Sequence, residues 1–336
     1  MPLINTRVVF PAKYLAILEQ QEIAESLQPD QALIKNLYTL ISSGTELALY
    51  TQSHVGFGNP KVPWAKYPYY PGYAAVGRVE AIGVDVDRIA VGDTLLYLGA
   101  HQAYAVLSDA DLRVKVAGDI PLAWVPYACI AHISNTARWV SQAQPGETTA
   151  VVGLGLVGHL AAQLFKIFGA ATIGLDIVPF RRSVAQAVGI GLVVDPGEDV
   201  TAAIRATAGG RGADSVVEAT GNPDLIGAAL RAVRPRGEVI LLGSPRGPAI
   251  IDVYDDIHRN GAILKGAHVG LLPRVSTEGK LDRQTVMQQM LELIRQRRLV
   301  VEPLISEIIQ PSDIDRGYRM LLEEKGRTLS VLIQWA

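Results

Sequence analysis

The sequence predicts a two-domain α/β protein: one domain a doubly wound parallel sheet, the other a smaller, largely antiparallel β domain of barrel-like character. Three observations carry this. A chain of 336 residues is longer than one ordinary core holds. From about residue 148 to 267, strand-like runs alternate with helical patterns at the spacing of βαβ units. The first hundred residues instead show short strand-like runs divided by Gly, Pro and Asp, with little helix.

The elements follow in order. Gln31–Leu40, Ala74–Ile82, Thr94–Leu98 and Ala103–Val106 are the strand-like runs of the first half, and residues 53–70 form a long loop rich in proline and aromatic rings. Thr148–Gly153 is a branched apolar run ending in glycine, as a buried parallel strand does. A helix is predicted over Leu156–Phe168, then a strand over Ala171–Asp176. The next helix starts at Pro179, with proline in its first turn and Gly189 past its end. Leu192–Asp195, Ala213–Glu218, Glu238–Gly243 and Ala262–Gly266 complete six strands. Helices at Asp199–Ala208 and Pro223–Val233 separate the first three of these four. The tail adds an amphipathic helix over Arg283–Arg298, with Val286, Met290, Leu291 and Ile294 at helical spacing. A second helix, Ser312–Glu324, is expected to begin at a Ser cap with Asp315 three residues on. The strand Leu329–Trp335 should return to the first domain. The expected division is 1–130 with 269–336, and 131–268.

Composition excludes several classes. Hydrophobic residues make up 49% and charged residues 19%, the balance of a well-buried globule. The net charge of -2 lacks the basic footprint of a nucleic-acid or anionic-membrane binder. A single cysteine, Cys129, rules out an internal disulfide. The start Met1-Pro2-Leu3-Ile4-Asn5 lacks the features of a signal peptide, and no uninterrupted apolar stretch reaches membrane-spanning length. The expectation is a cytoplasmic, soluble protein with a small-molecule substrate.

Gly153-Leu154-Gly155-Leu156-Val157-Gly158 reads G-x-G-x-x-G, closing a predicted strand and opening a predicted helix. Gly153 permits the tight turn, Gly155 lets the backbone approach a pyrophosphate, and Gly158 lets the helix pack close to the sheet. Free N–H groups and the helix N-terminus then hold the phosphates. Asp176 follows at the end of the second strand, 18 residues after Gly158, where a carboxylate binds both ribose hydroxyls of an adenosine. This is the Rossmann pattern for a nicotinamide dinucleotide. Asp176 favours NAD, while Arg181 and Arg182 leave NADP open. The turns Glu218-Ala219-Thr220-Gly221, Leu242-Gly243-Ser244 and Ala267-His268 are placed to touch the distal half of the cofactor.

Several segments together resemble the medium-chain dehydrogenase/reductase superfamily, the alcohol dehydrogenase-like proteins. They are SSGTEL (42–47), YPGYAAVGRV (70–79), VGDTLL (91–96), AHQAYAVL (100–107), PGETTAVVGLGLVGHLAAQL (145–164), EATG (218–221) and the Lys265–Ala267 element. The resemblance covers nearly the whole chain. It implies a GroES-like catalytic domain beside the Rossmann domain, hydride transfer, and a homodimer or homotetramer. The Ser43-Gly44-Thr45-Glu46 element is distantly similar to bacteriochlorophyllide side-chain dehydrogenase.

The departures from that pattern are informative. Zinc members of the family place a cysteine where this chain has Ser43, and a His-Glu pair where it has Tyr73 and Ala74. The four-cysteine structural zinc lobe is missing as well. Zinc needs about four N, S or carboxylate ligands, so no zinc is expected. Cys129 and His132 read as a buried thiol and a hydrogen-bonded histidine on a packed helix. Without the metal, side chains must stabilise the developing alkoxide or enolate. Thr45 stands where the family keeps a substrate-bonding hydroxyl, and reads equally as a helix-start cap. Tyr73 offers a phenol to a carbonyl oxygen or packs as a buried ring. Ser43 and Glu46 orient these groups or serve as a buried Ser and a salt bridge. His54 and His268 are candidate proton shuttles. The rings Tyr50, Phe57, Trp64, Tyr67, Tyr69 and Tyr70 either line a cleft for a bulky aromatic substrate or pack on one another. Carbonyl/alcohol chemistry, reduction of an enone or quinone C=C bond, and dinucleotide binding without turnover all remain open.

Overall fold

In the computed structural model, which describes residues 3–24, 26–108, 110–111, 113–273 and 282–336, the chain divides into two units. Met1 and Pro2 of the N-terminal reading lie outside the described residues. The described residues of the first unit fall within Met1–Cys129, Arg274–Gln296 and Ile305–Ala336; those of the second fall within Ile130–Pro273 and Arg297–Leu304.

The first unit begins with strands β1 (Leu3–Ala12) and β2 (Leu15–Ile23), paired as an antiparallel hairpin that the sequence reading did not identify. The reason is visible in β2: Glu19–Glu22 is a polar run and most of the strand is exposed, so no period-2 pattern marks it. β3 (Gln31–Leu40) alternates buried and partly buried residues, as a one-sided strand should. The short helix α1 (Thr45–Tyr50) follows, then β4 (Ala75–Ile82), β5 (Thr94–Tyr97), β6 (Tyr104–Ser108) and β7 (Arg113–Lys115). Ile34, Val79, Leu95, Tyr97 and Leu107 from these strands close one core.

The chain leaves the first unit within helix α2 (Tyr127–Val140) and enters the parallel sheet. Its elements are β8 (Thr148–Val152), α3 (Leu156–Ile167), β9 (Ala171–Leu175), α4 (Pro179–Ala187), β10 (Leu192–Val194), α5 (Val200–Thr207), β11 (Ala213–Glu218), α6 (Leu225–Ala232), β12 (Val233–Leu241) and β13 (Ile263–Gly266). All pairings are parallel, in the order β10-β9-β8-β11-β12-β13. That order reverses between β8 and β11, the switch point where ligands bind doubly wound sheets. Every residue of β11 is buried, the polar Asp214, Ser215 and Glu218 included. The buried Glu238 is fully partnered: it accepts from the Ser141 and Ser215 hydroxyls and the Gln142 N–H, and pairs with Lys265 at 2.6 Å. Lys265 of the Lys-Gly-Ala element is therefore held below the sheet's functional end.

The tail contributes α7 (Arg283–Arg295), β14 (Glu307–Ile309), α8 (Ile314–Glu323) and β15 (Val331–Gln334). β15 pairs with β3 and β14, so the chain does return to the first sheet. Ser312 is not a cap, because a 3-10 turn over Pro311–Asp313 precedes α8. Asp315 instead accepts a hydrogen bond from the Tyr50 hydroxyl at 3.0 Å. Among the described residues no helix is long and apolar enough to cross a membrane.

Candidate functional site

In the second unit, the three glycines of the G-x-G-x-x-G stretch sit where their sterics require. Gly153 has φ +92, and a Cβ on it would lie 2.5 Å from the Thr220 methyl. A Cβ on Gly158 would lie 1.8 Å from the Gly153 carbonyl oxygen. Gly155 caps α3, and a Cβ there would meet no protein atom within 4 Å. Space for an anion therefore opens at the middle glycine alone, at the N-terminus of a 12-residue helix. Leu156 and Val157 form its first turn.

Asp176 follows β9 and is 6% exposed. Its Oδ2 accepts the Leu154 N–H and its Oδ1 the Val178 N–H, both at 2.8 Å. The carboxylate thus ties the glycine loop to the second crossover. Each oxygen retains acceptor capacity of the kind ribose hydroxyls need. The Arg181 guanidinium lies 3.5 Å from Asp176, while Arg182 bonds the Asp176 carbonyl oxygen and pairs with Asp195. His159, one residue past the last glycine, is fully buried. Burial, reinforced by Arg181, lowers its pKa to about 3, so its ring is neutral near pH 7.

The remaining turns gather at the same end of the sheet. Ala219 N–H bonds the Val152 carbonyl oxygen, and Leu242 and Gly243 both donate to the Glu218 carbonyl oxygen. Ala267 N–H reaches the Leu241 carbonyl oxygen. A Cβ on Gly221 (φ +71) would strike the Ser244 carbonyl oxygen at 2.5 Å, so these turns interlock. Thr220, Ser244 and His268 are exposed there. His268 Nδ1 accepts the Gly270 N–H, bracing its own turn. The dinucleotide candidates thus converge on one surface of one unit.

In the first unit, α1 begins at Thr45 with Gly44 as its cap residue and no side-chain cap bond. The Thr45 hydroxyl bonds Tyr73 instead, as does the Ser42 hydroxyl. Burial pushes the Tyr73 phenol well above its ordinary pKa, reinforced by the nearby Glu46 carboxylate. Tyr73 therefore keeps its proton and acts as a donor. Glu46 is fully buried: Oε1 accepts the Ser42 N–H at 2.9 Å, and Oε2 accepts from Tyr318 at 2.6 Å and meets His101 Nε2 at 2.9 Å. The serine hydroxyl bonded to Tyr73 is thus that of Ser42; Ser43 makes no side-chain hydrogen bond among the described residues. Ser42, His101 and Tyr318 escaped the sequence reading, although Ser42 and Glu46 stand at a helix-start spacing that could have marked them.

His54 Nδ1 accepts the Gly56 N–H and its ring rests 5.1 Å from Trp64, both within its own loop. The aromatic residues choose mutual packing: Phe57 contacts Tyr67, Trp64 contacts Tyr69, and Arg7 covers Tyr70. The Tyr67 hydroxyl closes the loop on the Leu49 carbonyl oxygen.

The donor set does not fit zinc. Ser43, Tyr73 and Ala74 offer no N, S or carboxylate ligand. The buried Cys129 thiol donates to the Tyr97 carbonyl oxygen, its pKa pushed by burial to about 12. Among the described residues no group of three or more His, Cys, Asp or Glu is placed to hold a metal.

Known proteins share parts of this sequence and its fold. The family model described as zinc-binding dehydrogenase matches residues 157–295. An alcohol dehydrogenase of Geobacillus stearothermophilus is 28% identical over 254 residues, 66% of this chain and 74% of that one. An Escherichia coli oxidoreductase/dehydrogenase of unknown specificity shares the fold at TM-score 0.84 and 18% identity, over 99% of both chains. A Sinorhizobium meliloti 1021 chain, assigned to the zinc-binding dehydrogenases and bound to NADP, does so at TM-score 0.80 and 18% identity, again over 99% of both.

Proposed function

We propose that the chain is an alcohol dehydrogenase-like member of the medium-chain dehydrogenase/reductase superfamily, and a zinc-independent, NAD(P)(H)-dependent oxidoreductase of a carbonyl/alcohol pair. The observation that carries the reading is the glycine cradle, open only at Gly155 and anchored through Leu154 to Asp176.

A bound nicotinamide supplies or accepts hydride; the chain's own residues do the rest. The N-terminus of α3 and the amides of the glycine loop hold the diphosphate. Asp176 takes the adenosine ribose and repels a 2′-phosphate. In the first unit the Tyr73 phenol donates a hydrogen bond to the substrate oxygen, where a zinc-bearing relative would place its metal. Ser42 and Thr45 hold that phenol in direction, and the Thr45 hydroxyl relays the proton.

Two measurements test the reading directly. Metal analysis of the purified protein should give well under one zinc per chain; stoichiometric zinc overturns the metal-free mechanism. Asp176→Ala should weaken NADH about tenfold more than NADPH, since it removes ribose acceptors and a charge that opposes phosphate. Equal losses in the two titrations would leave Asp176 only its role in bracing Leu154. Oxidation of NADH or NADPH by ketones is the expected activity. Turnover of enones or quinones alone would move the chemistry to the C=C bond, and binding without turnover would make the protein a dinucleotide sensor.

A further inference from the structure

Glu218 is a buried carboxylate with no ion-pair partner among the described residues, and that calls for a physical explanation. It closes β11, is fully buried, and burial raises its pKa. A carboxylate withdrawn from water is costly unless its oxygens are satisfied. Here backbone and hydroxyl donors of its own turn satisfy them. Oε1 accepts the Thr220 N–H at 2.7 Å and the Thr220 hydroxyl, while Oε2 accepts the Gly221 N–H at 3.1 Å. The backbone carbonyl oxygen of the same residue accepts Leu242 N–H and Gly243 N–H, at 2.9 and 2.8 Å. Glu218 therefore fixes two of the turns at the functional end of the sheet.

The fit of these turns leaves no slack. A Cβ on Gly243 would lie 2.3 Å from the Gly221 nitrogen, and the Thr220 methyl abuts Gly153. Both carboxylate oxygens are used as acceptors, so an amide cannot replace it: one end of the amide would present N–H groups to N–H or O–H donors. The adenosine side has hydrogen bonds of its own, from Gly153 N–H to the Leu175 carbonyl oxygen and from Leu154 N–H to Asp176.

We propose that Glu218 is a positioning residue for the nicotinamide half of the dinucleotide, its carboxylate holding the Thr220–Gly221 turn in the shape that half requires. This rests on the dinucleotide reading above. It assigns the two halves of the cofactor to separate anchors, Glu218 for one and Asp176 for the other.

The test compares whole cofactor with a fragment on the full chain, by titrating NADH, followed by its nicotinamide fluorescence, and 5′-AMP. Glu218→Gln should raise the NADH dissociation constant about tenfold, in line with the loss of hydrogen bonds to a charged group. It should leave 5′-AMP within about twofold and lower the fluorescence gain of bound NADH, a signal that general destabilisation would not select. Glu218→Asp keeps two acceptor oxygens in the short reach of an Asx turn and should stay within about threefold of wild type for NADH. Unchanged NADH affinity in the Gln variant, or equal loss of NADH and 5′-AMP, overturns the proposal. If the Gln variant does not fold, the Asp variant decides: NADH affinity retained supports the assignment, and a tenfold loss overturns it. Wild-type protein that binds neither NADH nor NADPH would instead sink the dinucleotide reading itself.

Discussion

Gly158→Ala is expected to reduce NADH affinity about a hundredfold and to remove about 1–3 kcal/mol of stability, because one methyl must enter a space already filled by backbone. The new Cβ would lie 1.8 Å from the Gly153 carbonyl oxygen. Gly153 cannot yield, since its own N–H bonds Leu175 and its φ of +92 is fixed by the turn. Either α3 lifts from the sheet or the loop opens, and each displaces the amides that face the diphosphate. Gly155→Ala is the complementary case. Its Cβ meets no protein atom within 4 Å, so the melting temperature should hold while NADH binding falls by a similar factor. A NADH titration beside a thermal melt distinguishes the two. Wild-type affinity in Gly155→Ala would mean that no diphosphate passes over that residue, and the oxidoreductase reading would fall with it.

That contrast shows why the dinucleotide cradle was legible in the sequence. Each glycine answers a local steric demand, and the whole device lies within one strand–turn–helix unit, so spacing alone marks it. The parallel strands were legible for a related reason: inner strands such as β8 are buried on both faces and read as short apolar runs, and helical patterns separate most of the strands. The β1–β2 hairpin was not, because polar Glu19–Glu22 masks any alternation. Nor was the cluster behind Tyr73. His101 and Tyr318 stand 55 and 272 positions from Glu46, and only the folded β domain brings them to it. Local sequence therefore pointed to Ser43, whereas the long-range packing of Glu46 selects Ser42. Glu218 lies in a turn that the sequence places against the cofactor without giving the carboxylate a role of its own. Its role as an acceptor emerges only when the three donors converge.

The cluster around Glu46 carries the largest expected stability change in the first unit. Glu46→Ala should cost about 3 kcal/mol or more, because each buried donor it leaves unsatisfied costs about 1–3 kcal/mol. The loss has named parts. The fully buried His101 ring, whose Nδ1 has no hydrogen-bond partner among the described residues, would lose the partner of its Nε2, and the buried Tyr318 hydroxyl and the Ser42 N–H would each lose an acceptor. Burial, with the Glu46 charge behind it, holds the Tyr318 phenol well above its ordinary pKa, so it cannot compensate by ionising. Tyr73→Phe is the control that separates architecture from chemistry. It removes one hydroxyl at the edge of the cluster and leaves the Glu46 bonds intact, so stability should change by no more than about 1–3 kcal/mol. Turnover should fall about a hundredfold, the scale for deleting one donor to a developing oxyanion. Urea denaturation and steady-state kinetics on the two variants supply both readings. Full turnover in Tyr73→Phe would remove the phenol from the mechanism and leave the hydroxyl of Thr45 to act alone. A Glu46→Ala protein as stable as wild type would show that solvent reaches His101 and Tyr318, and that the carboxylate does not hold Ser42 in place.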